Sequence, residues 1–316
     1  MENSQPRVSG MLAVGDAQQM YWEEVGPGEG RPIVWLHGGP GGGASGGTRR
    51  LFDSGDWRAV LYDQRGAGRS RPSLSDPATD LSVNTTSHLV ADIERLREDR
   101  GIESWTVAGG SWGCTLAQAY AIAYPERVDA LVLVSVTTAH PAELSWITRE
   151  VGRIFPEAWE EFVAIVPHVR EAGSIPRAYA ELLASPEADI RLAAARAWCR
   201  WEDAHMSLPP GSEPFLSTSA DDFQYAFARA VTHYWSNDCF LAPDYLERGA
   251  SRLADIPIRM IHGRWDVSGP VGLAWDVKRL LPHAQLTVLE SEGHGGPRTS
   301  DTVRKVLAEL HKSLRD

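Results

Sequence analysis

Short apolar and β-branched runs recur along the chain at residues 32–36, 59–62, 105–108, 130–136, 258–261 and 286–289. Helical patterns separate most of them. Val90, Ile93, Leu96 and Arg97 fall at helical spacing, and the alanine-rich stretch 115–124 runs up to Pro125, where a helix must stop. Strands alternating with helices make parallel βαβ units, so the pattern predicts a doubly wound, mostly parallel α/β sheet. Residues 11–25 read instead as an antiparallel hairpin turning at Gly15-Asp16.

From 141 to 241 the strand signal disappears. Trp, Glu, Arg and Ala recur at helical periods over 146–155, 159–166, 190–205 and 223–235. Because strands resume at Ile258, this stretch is expected to be a helical cap domain, inserted into a core domain formed by residues 1–140 and 242–316. A cap in that position sits over the strand ends.

Composition narrows the function. The chain has 316 residues, 43% of them apolar, and a net charge of −11. That balance disfavours binding to nucleic acid or an anionic membrane, both of which need a basic face. No apolar stretch approaches the roughly 18 residues of a membrane helix, and the first residues lack a basic and an apolar signal region; a cytoplasmic protein is expected. Cys114, Cys199 and Cys239 share no metal-type spacing and suggest neither a disulfide framework nor a zinc site. No metal or cofactor is called for.

The chemistry starts at Gly109-Gly110-Ser111-Trp112-Gly113, between the run 105–108 and the helical stretch 115–124. A serine on a tight strand-to-helix turn is exposed above the sheet at strained backbone angles, and glycines two before and two after it let strand and helix approach. Ser111 is the candidate nucleophile. The helix start that follows offers backbone N–H groups to a developing oxyanion, which makes the Trp112 N–H one donor. Gly39, in the His37-Gly38-Gly39-Pro40-Gly41-Gly42-Gly43 loop after the run 32–36, is the second. No Walker-type lysine follows that loop, so a phosphate cradle is disfavoured. The next run is followed by Asp63-Gln64-Arg65-Gly66-Ala67-Gly68-Arg69-Ser70, a turn expected to brace the oxyanion loop through Asp63 or Arg65.

A serine nucleophile needs a base, and the base an orienting acid. Asp266 follows the run 258–261, and His294, flanked by Gly293 and Gly295, follows 286–289. The order Ser111, Asp266, His294, each just beyond a strand, is that of an α/β-hydrolase. His37, His233 and His262 are read as structural.

Taken together, these motifs resemble the proline iminopeptidases (prolyl aminopeptidases) of the α/β-hydrolase fold. The resemblance runs over H-G-G-P-G-G-G from His37, D-Q-R-G-x-G-R-S from Asp63, N-T-T-x-x-L-V-A-D-I-E-R-L-R from Asn84 and G-G-S-W-G from Gly109, and more weakly over G-R-W-D from Gly263 and the Gly293-His294 pair. It implies a metal-independent serine peptidase that releases an N-terminal residue, typically proline, from short peptides or aminoacyl amides. The family's triad falls on Ser111, Asp266 and His294, with Gly39 and Trp112 as oxyanion donors. Its members also hold the substrate amine with cap glutamates. One matches Glu202 in Trp198-Cys199-Arg200-Trp201-Glu202; where the second is expected, before His233-Tyr234, this chain has Val231. Glu202, Trp201, Val231 and Tyr234 are therefore the expected substrate-binding positions, with Trp198, Phe227 and Trp235 as further aromatic wall or core residues. Ser135-Val136-Thr137-Thr138 replaces the family's usual Arg-Gly-Ile-Phe, which points to a rebuilt pocket wall. A hydrolase of aminoacyl amides or esters on a larger apolar molecule, such as a secondary metabolite, is the alternative substrate reading. A non-catalytic ligand-binding protein on the same fold is the alternative of another class.

Overall fold

The computed structural model describes residues 5–170, 172–206 and 213–314. Its centre is an eight-stranded sheet of β1 (Val8–Ala13), β2 (Gln19–Val25), β3 (Arg31–Leu36), β4 (Trp57–Tyr62), β5 (Trp105–Gly110), β6 (Val128–Val134), β7 (Ile258–Gly263) and β8 (Gln285–Leu289), in the order β1-β2-β4-β3-β5-β6-β7-β8. β1–β2 and β2–β4 pair antiparallel and every other pair is parallel. The helices are α1 (Gly46–Arg49), α2 (Thr86–Asp99), α3 (Trp112–Ala123), α4 (Pro141–Thr148), α5 (Pro156–Ala164), α6 (Ile175–Leu183), α7 (Ala188–Met206), α8 (Asp221–Trp235), α9 (Tyr245–Gly249), α10 (Val271–Leu280) and α11 (Pro297–Ser313).

Period-two alternation puts the two faces of the sheet into separate cores. Val34, Val60, Val107, Leu131 and Leu133 pack with residues of α2, α3 and α10 on one side. Ile33, Ala59, Leu61, Ala130 and Val132 pack with Val303, Leu307 and Leu310 of α11 on the other. The strands read as nearly continuous apolar runs because both faces are covered. α4 to α8 all lie between β6 and β7 and hold a third apolar cluster of their own, with α7 packed on α5, α6 and α8.

Several boundaries differ from the sequence expectation. The hairpin turns at Asp16-Ala17, one residue later than expected, both with positive φ (51° and 56°), as a type I′ turn requires. β6 ends at Val134 rather than 136, since Ser135 takes φ 53° and the chain leaves the sheet. The helical stretch expected over 146–155 begins earlier, at Pro141, whose fixed φ suits a first helical position, and breaks after Thr148 into a 3₁₀ turn, Glu150–Arg153. α6 was not anticipated, although Ser174 caps it and Pro176 opens it.

Candidate active site

Parallel register lines up the strand ends. Leu36 pairs with Gly109, Gly110 with Val134, Val134 with Ile261, and Gly263 with Leu289. The loops that leave β3, β5, β6, β7 and β8 therefore emerge along one edge, where ligands of open α/β sheets bind. Ser111 sits there at φ 55°, ψ −126°, immediately before α3. Its N–H donates to the Val134 carbonyl (2.9 Å), and its own carbonyl accepts from the Cys114 N–H (2.7 Å) and the Thr137 hydroxyl (2.8 Å). The strained turn is thus fixed from both sides. A Cβ on Gly113 would lie 2.1 Å from the Leu36 carbonyl oxygen, and one on Gly263 2.0 Å from the Gly293 oxygen, so side chains at these places would push apart the segments that carry Ser111 and His294.

Asp266 Oδ2 lies 2.9 Å from His294 Nδ1, and Oδ1 accepts from the Gly269 N–H at 3.0 Å. Asp266 is buried. Burial works against its charge, but the imidazole, its hydrogen bond and the Gly269 N–H outweigh that and hold the carboxyl below its ordinary range. Burial likewise opposes charging of His294, yet the Asp266 carboxylate, with Glu202 adding to it, raises the imidazole pKa. His262, 3.6 Å from Asp266, accepts from the Val136 N–H at Nδ1 and donates from Nε2 to the Gly269 carbonyl (2.7 Å); burial lowers its pKa against the pull of Asp266. The Ser135 hydroxyl holds the His294 carbonyl at 2.6 Å.

The glycine loop after β3 is braced from β4. Asp63 accepts from the Ala44 N–H (2.7 Å), the Gln64 N–H donates to His37 Nε2 (2.9 Å), and the Gln64 side chain bridges the His37 carbonyl and the Trp112 indole N–H. Arg65 does not take part. It forms a two-point ion pair with Asp92 and binds Asp16 and the Val14 carbonyl, tying the hairpin turn to α2. Cys114 donates to the Gly109 and Val134 carbonyls, and burial pushes its thiol up to about 12, so it is an inert packing residue.

A cavity of about 430 Å³ opens above this edge, lined by Gly39, Ser111, Trp112, Glu202 and His294, with Leu144 and Ile147 of α4, Phe223, Phe227 and Trp235 of α8, and Phe215. Glu202 is buried; its Oε1 accepts from the Trp198 indole at 3.1 Å, and burial raises its pKa to about 7. The other expected substrate-binding residues lie elsewhere and do not line the cavity. Trp201 stacks on Phe162 and donates to the Ile147 carbonyl, about 100° around the helix from Glu202. Val231 is wholly buried in the cluster of the insertion. Tyr234 packs edge-on against Trp112 and donates to Asn84 Oδ1. Sequence reasoning missed Glu143, Ser268 and Phe215, which reach the cavity only through the way the helices and loops pack and which no local motif marks.

The α/β-hydrolase fold family model matches residues 31–297, and the sheet order and strand-end row agree with it; the chain is an α/β-hydrolase. It is 46% identical to a probable proline iminopeptidase of Streptomyces coelicolor, over 98% of this chain and 96% of the relative. A proline iminopeptidase of Arabidopsis thaliana is 40% identical, over 98% and 81% of the two chains. The protein belongs to the proline iminopeptidase family and is a serine hydrolase of that type. Among solved structures, VinJ superposes with a TM-score of 0.71 at 20% identity, covering 98% of this chain and 100% of that one. The proline iminopeptidase of Mycobacterium smegmatis does so at 0.65 and 17%, covering 97% and 99%. Both share the fold. No helix among the described residues is long and apolar enough to cross a membrane.

Proposed function

We propose that the protein releases a small N-terminal residue, proline or similar, from peptides or aminoacyl amides through an acyl-enzyme on Ser111, without a metal. The observation that carries this is the 2.9 Å Asp266–His294 hydrogen bond at the edge of a cavity that also holds Ser111 and the buried Glu202 carboxylate. His294 Nε2 takes the Ser111 proton as Oγ attacks the substrate carbonyl. The N–H groups of Gly39 and Trp112 receive the oxyanion, and His294 returns the proton to the leaving amine. Water, activated by the same imidazole, then cleaves the ester. Asp266 fixes the tautomer and stabilises the imidazolium. Glu202 receives the substrate's ammonium. Residues 141–241 act as the cap, supplying apolar walls that exclude water.

Comparing prolyl and alanyl arylamides with simple acyl esters tests the proposal: aminoacyl amides should be preferred, and faster turnover of amine-free esters would contradict it. The aromatic wall of Phe215, Phe223 and Phe227 favours one further substrate reading, an aminoacyl amide or ester of a larger apolar molecule. Rising kcat/KM with the size of an apolar leaving group would support it.

A further inference from the structure

One short segment touches both Ser111 and His294, and also the histidine beside Asp266. After β6 the chain leaves the sheet at Ser135 (φ 53°) and turns towards α4 at Ala139 (φ 56°). Both residues carry a Cβ, and for such residues these backbone angles persist only where the surroundings hold them. The Val134 carbonyl accepts from the Ser111 N–H (2.9 Å), and the Ser135 hydroxyl donates to the His294 carbonyl (2.6 Å). The Val136 N–H donates to His262 Nδ1 (3.0 Å), and the Thr137 hydroxyl donates to the Ser111 carbonyl (2.8 Å). From α3, the Gln118 side-chain amide donates to the Thr137 carbonyl (2.8 Å).

The far end of this strap is gripped from the insertion. Glu143 stands in the first turn of α4, where a capping glutamate returns to the N–H of the residue before the helix. It reaches further. Its carboxylate accepts from the Thr138 N–H (3.1 and 3.0 Å to the two oxygens), from the Ala139 N–H (3.1 Å) and from the Thr138 hydroxyl. These donors directly follow Thr137, so the carboxylate fixes the stretch of chain that aims the Thr137 hydroxyl at Ser111. With its oxygens taken in this way, Glu143 differs from Glu202, although both line the same cavity. Val134, Ser135, Thr137 and Ala139 line it too, so a molecule filling the cavity lies against the strap.

We propose that Glu143 and Thr137 are positioning residues for the reaction: Glu143 holds the strap 135–139, and the strap holds the main chain of Ser111 and His294 in the relative placement that proton transfer from Oγ to Nε2 requires. This rests on the reading of Ser111 as the nucleophile and His294 as its base. Glu202, as an amine anchor, matters only for substrates that carry an amine. Glu143 acts on the reacting pair and matters for every substrate.

The test compares wild type, Glu143→Gln, Thr137→Val, Thr137→Ser and the double variant Glu143→Gln/Thr137→Val on a prolyl arylamide, an amine-free ester and an amine-free fluorophosphonate that labels the nucleophile. Glu143→Gln and Thr137→Val should each lower kcat about tenfold with KM nearly unchanged, as loss of a hydrogen bond that serves only the reacting geometry implies. The factor should be the same for amide and ester, and labelling should slow with it. Thr137→Ser keeps the hydroxyl and should recover most of the rate. The double variant should lose little more than the worse single one, because both residues act through one strap. Thr137→Val leaves the helix cap intact and carries the test by itself should Glu143→Gln fail to fold. A lowered unfolding temperature with kcat and labelling unchanged would overturn the proposal, since the strap would then serve stability alone. So would a loss confined to the amide, which would make Glu143 a contact of the amine, or losses that multiply in the double variant. If Ser111→Ala is labelled as fast as wild type, the nucleophile reading itself falls; if labelling is lost there but undiminished in Glu143→Gln and Thr137→Val, only the role of the strap does.

Discussion

Along the carboxyl edge of the sheet, Ser111 and His294 are positioned mainly by main chain, with the Thr137 and Ser135 hydroxyls holding their carbonyls. Strand register sets their spacing, and main-chain approaches as close as those at Gly113 and Gly263 fix their angles. In the helical insertion, Glu202 is held by side chains: the Trp198 indole on its oxygen, and the stacked Phe162, Tyr179 and Trp201 rings beside its helix. A backbone-built site keeps its geometry through most side-chain changes. A packing-built site can be retuned one side chain at a time, and under the proposed function the first region would carry bond breaking and the second the choice of substrate.

The largest effect that would expose this division is at the nucleophile. Ser111→Ala should lower turnover by about 10⁴-fold or more, because triad members act as a unit, while leaving thermal unfolding unchanged. More than a tenth of wild-type turnover in that variant would remove Ser111 from the site. Asp266→Asn should cost about 10³- to 10⁴-fold and also move the pH profile. The base must be neutral to act, and the Asp266 carboxylate raises the His294 pKa above its ordinary value of 6.5. The acid limb of kcat/KM should therefore lie above that value in wild type and shift to lower pH in the variant. An unmoved limb would separate Asp266 from the base.

In the insertion, Val231→Glu should act on stability. Val231 is fully buried among apolar helices, and an unpaired carboxylate there costs on the order of 3–5 kcal/mol. Denaturant unfolding should show that loss with no gain in prolyl turnover. Unchanged stability with a gain in turnover would mean that this position reaches the substrate.

The same contrast explains what the sequence could and could not reveal. Ser111, Asp266, His294 and Gly39 were legible because each follows an apolar run and carries local glycine or motif context, and a parallel sheet brings such places together whatever the intervening chain does. Helical periodicity marked α5, α7 and α8, but in aromatic-rich helices that pack on both sides it does not say which face meets a cavity. Trp201, Val231 and Tyr234 were accordingly expected at the substrate and lie in the packing instead. Ser268 and Phe215, which reach the cavity from distant loops, had no signal in the chain itself.

The most direct test of the central claim is the response of two substrates to Glu202→Gln. If the insertion chooses and the sheet edge reacts, kcat/KM for a prolyl arylamide should fall by about 10- to 200-fold, as loss of a charge-assisted bond would give. Hydrolysis of a matched amine-free ester should change far less, with its acid limb moving to lower pH because one of the anions that raise the His294 pKa is gone. Equal losses on both substrates would contradict the account, since Glu202 would then be supporting the reacting row and not recognising the amine.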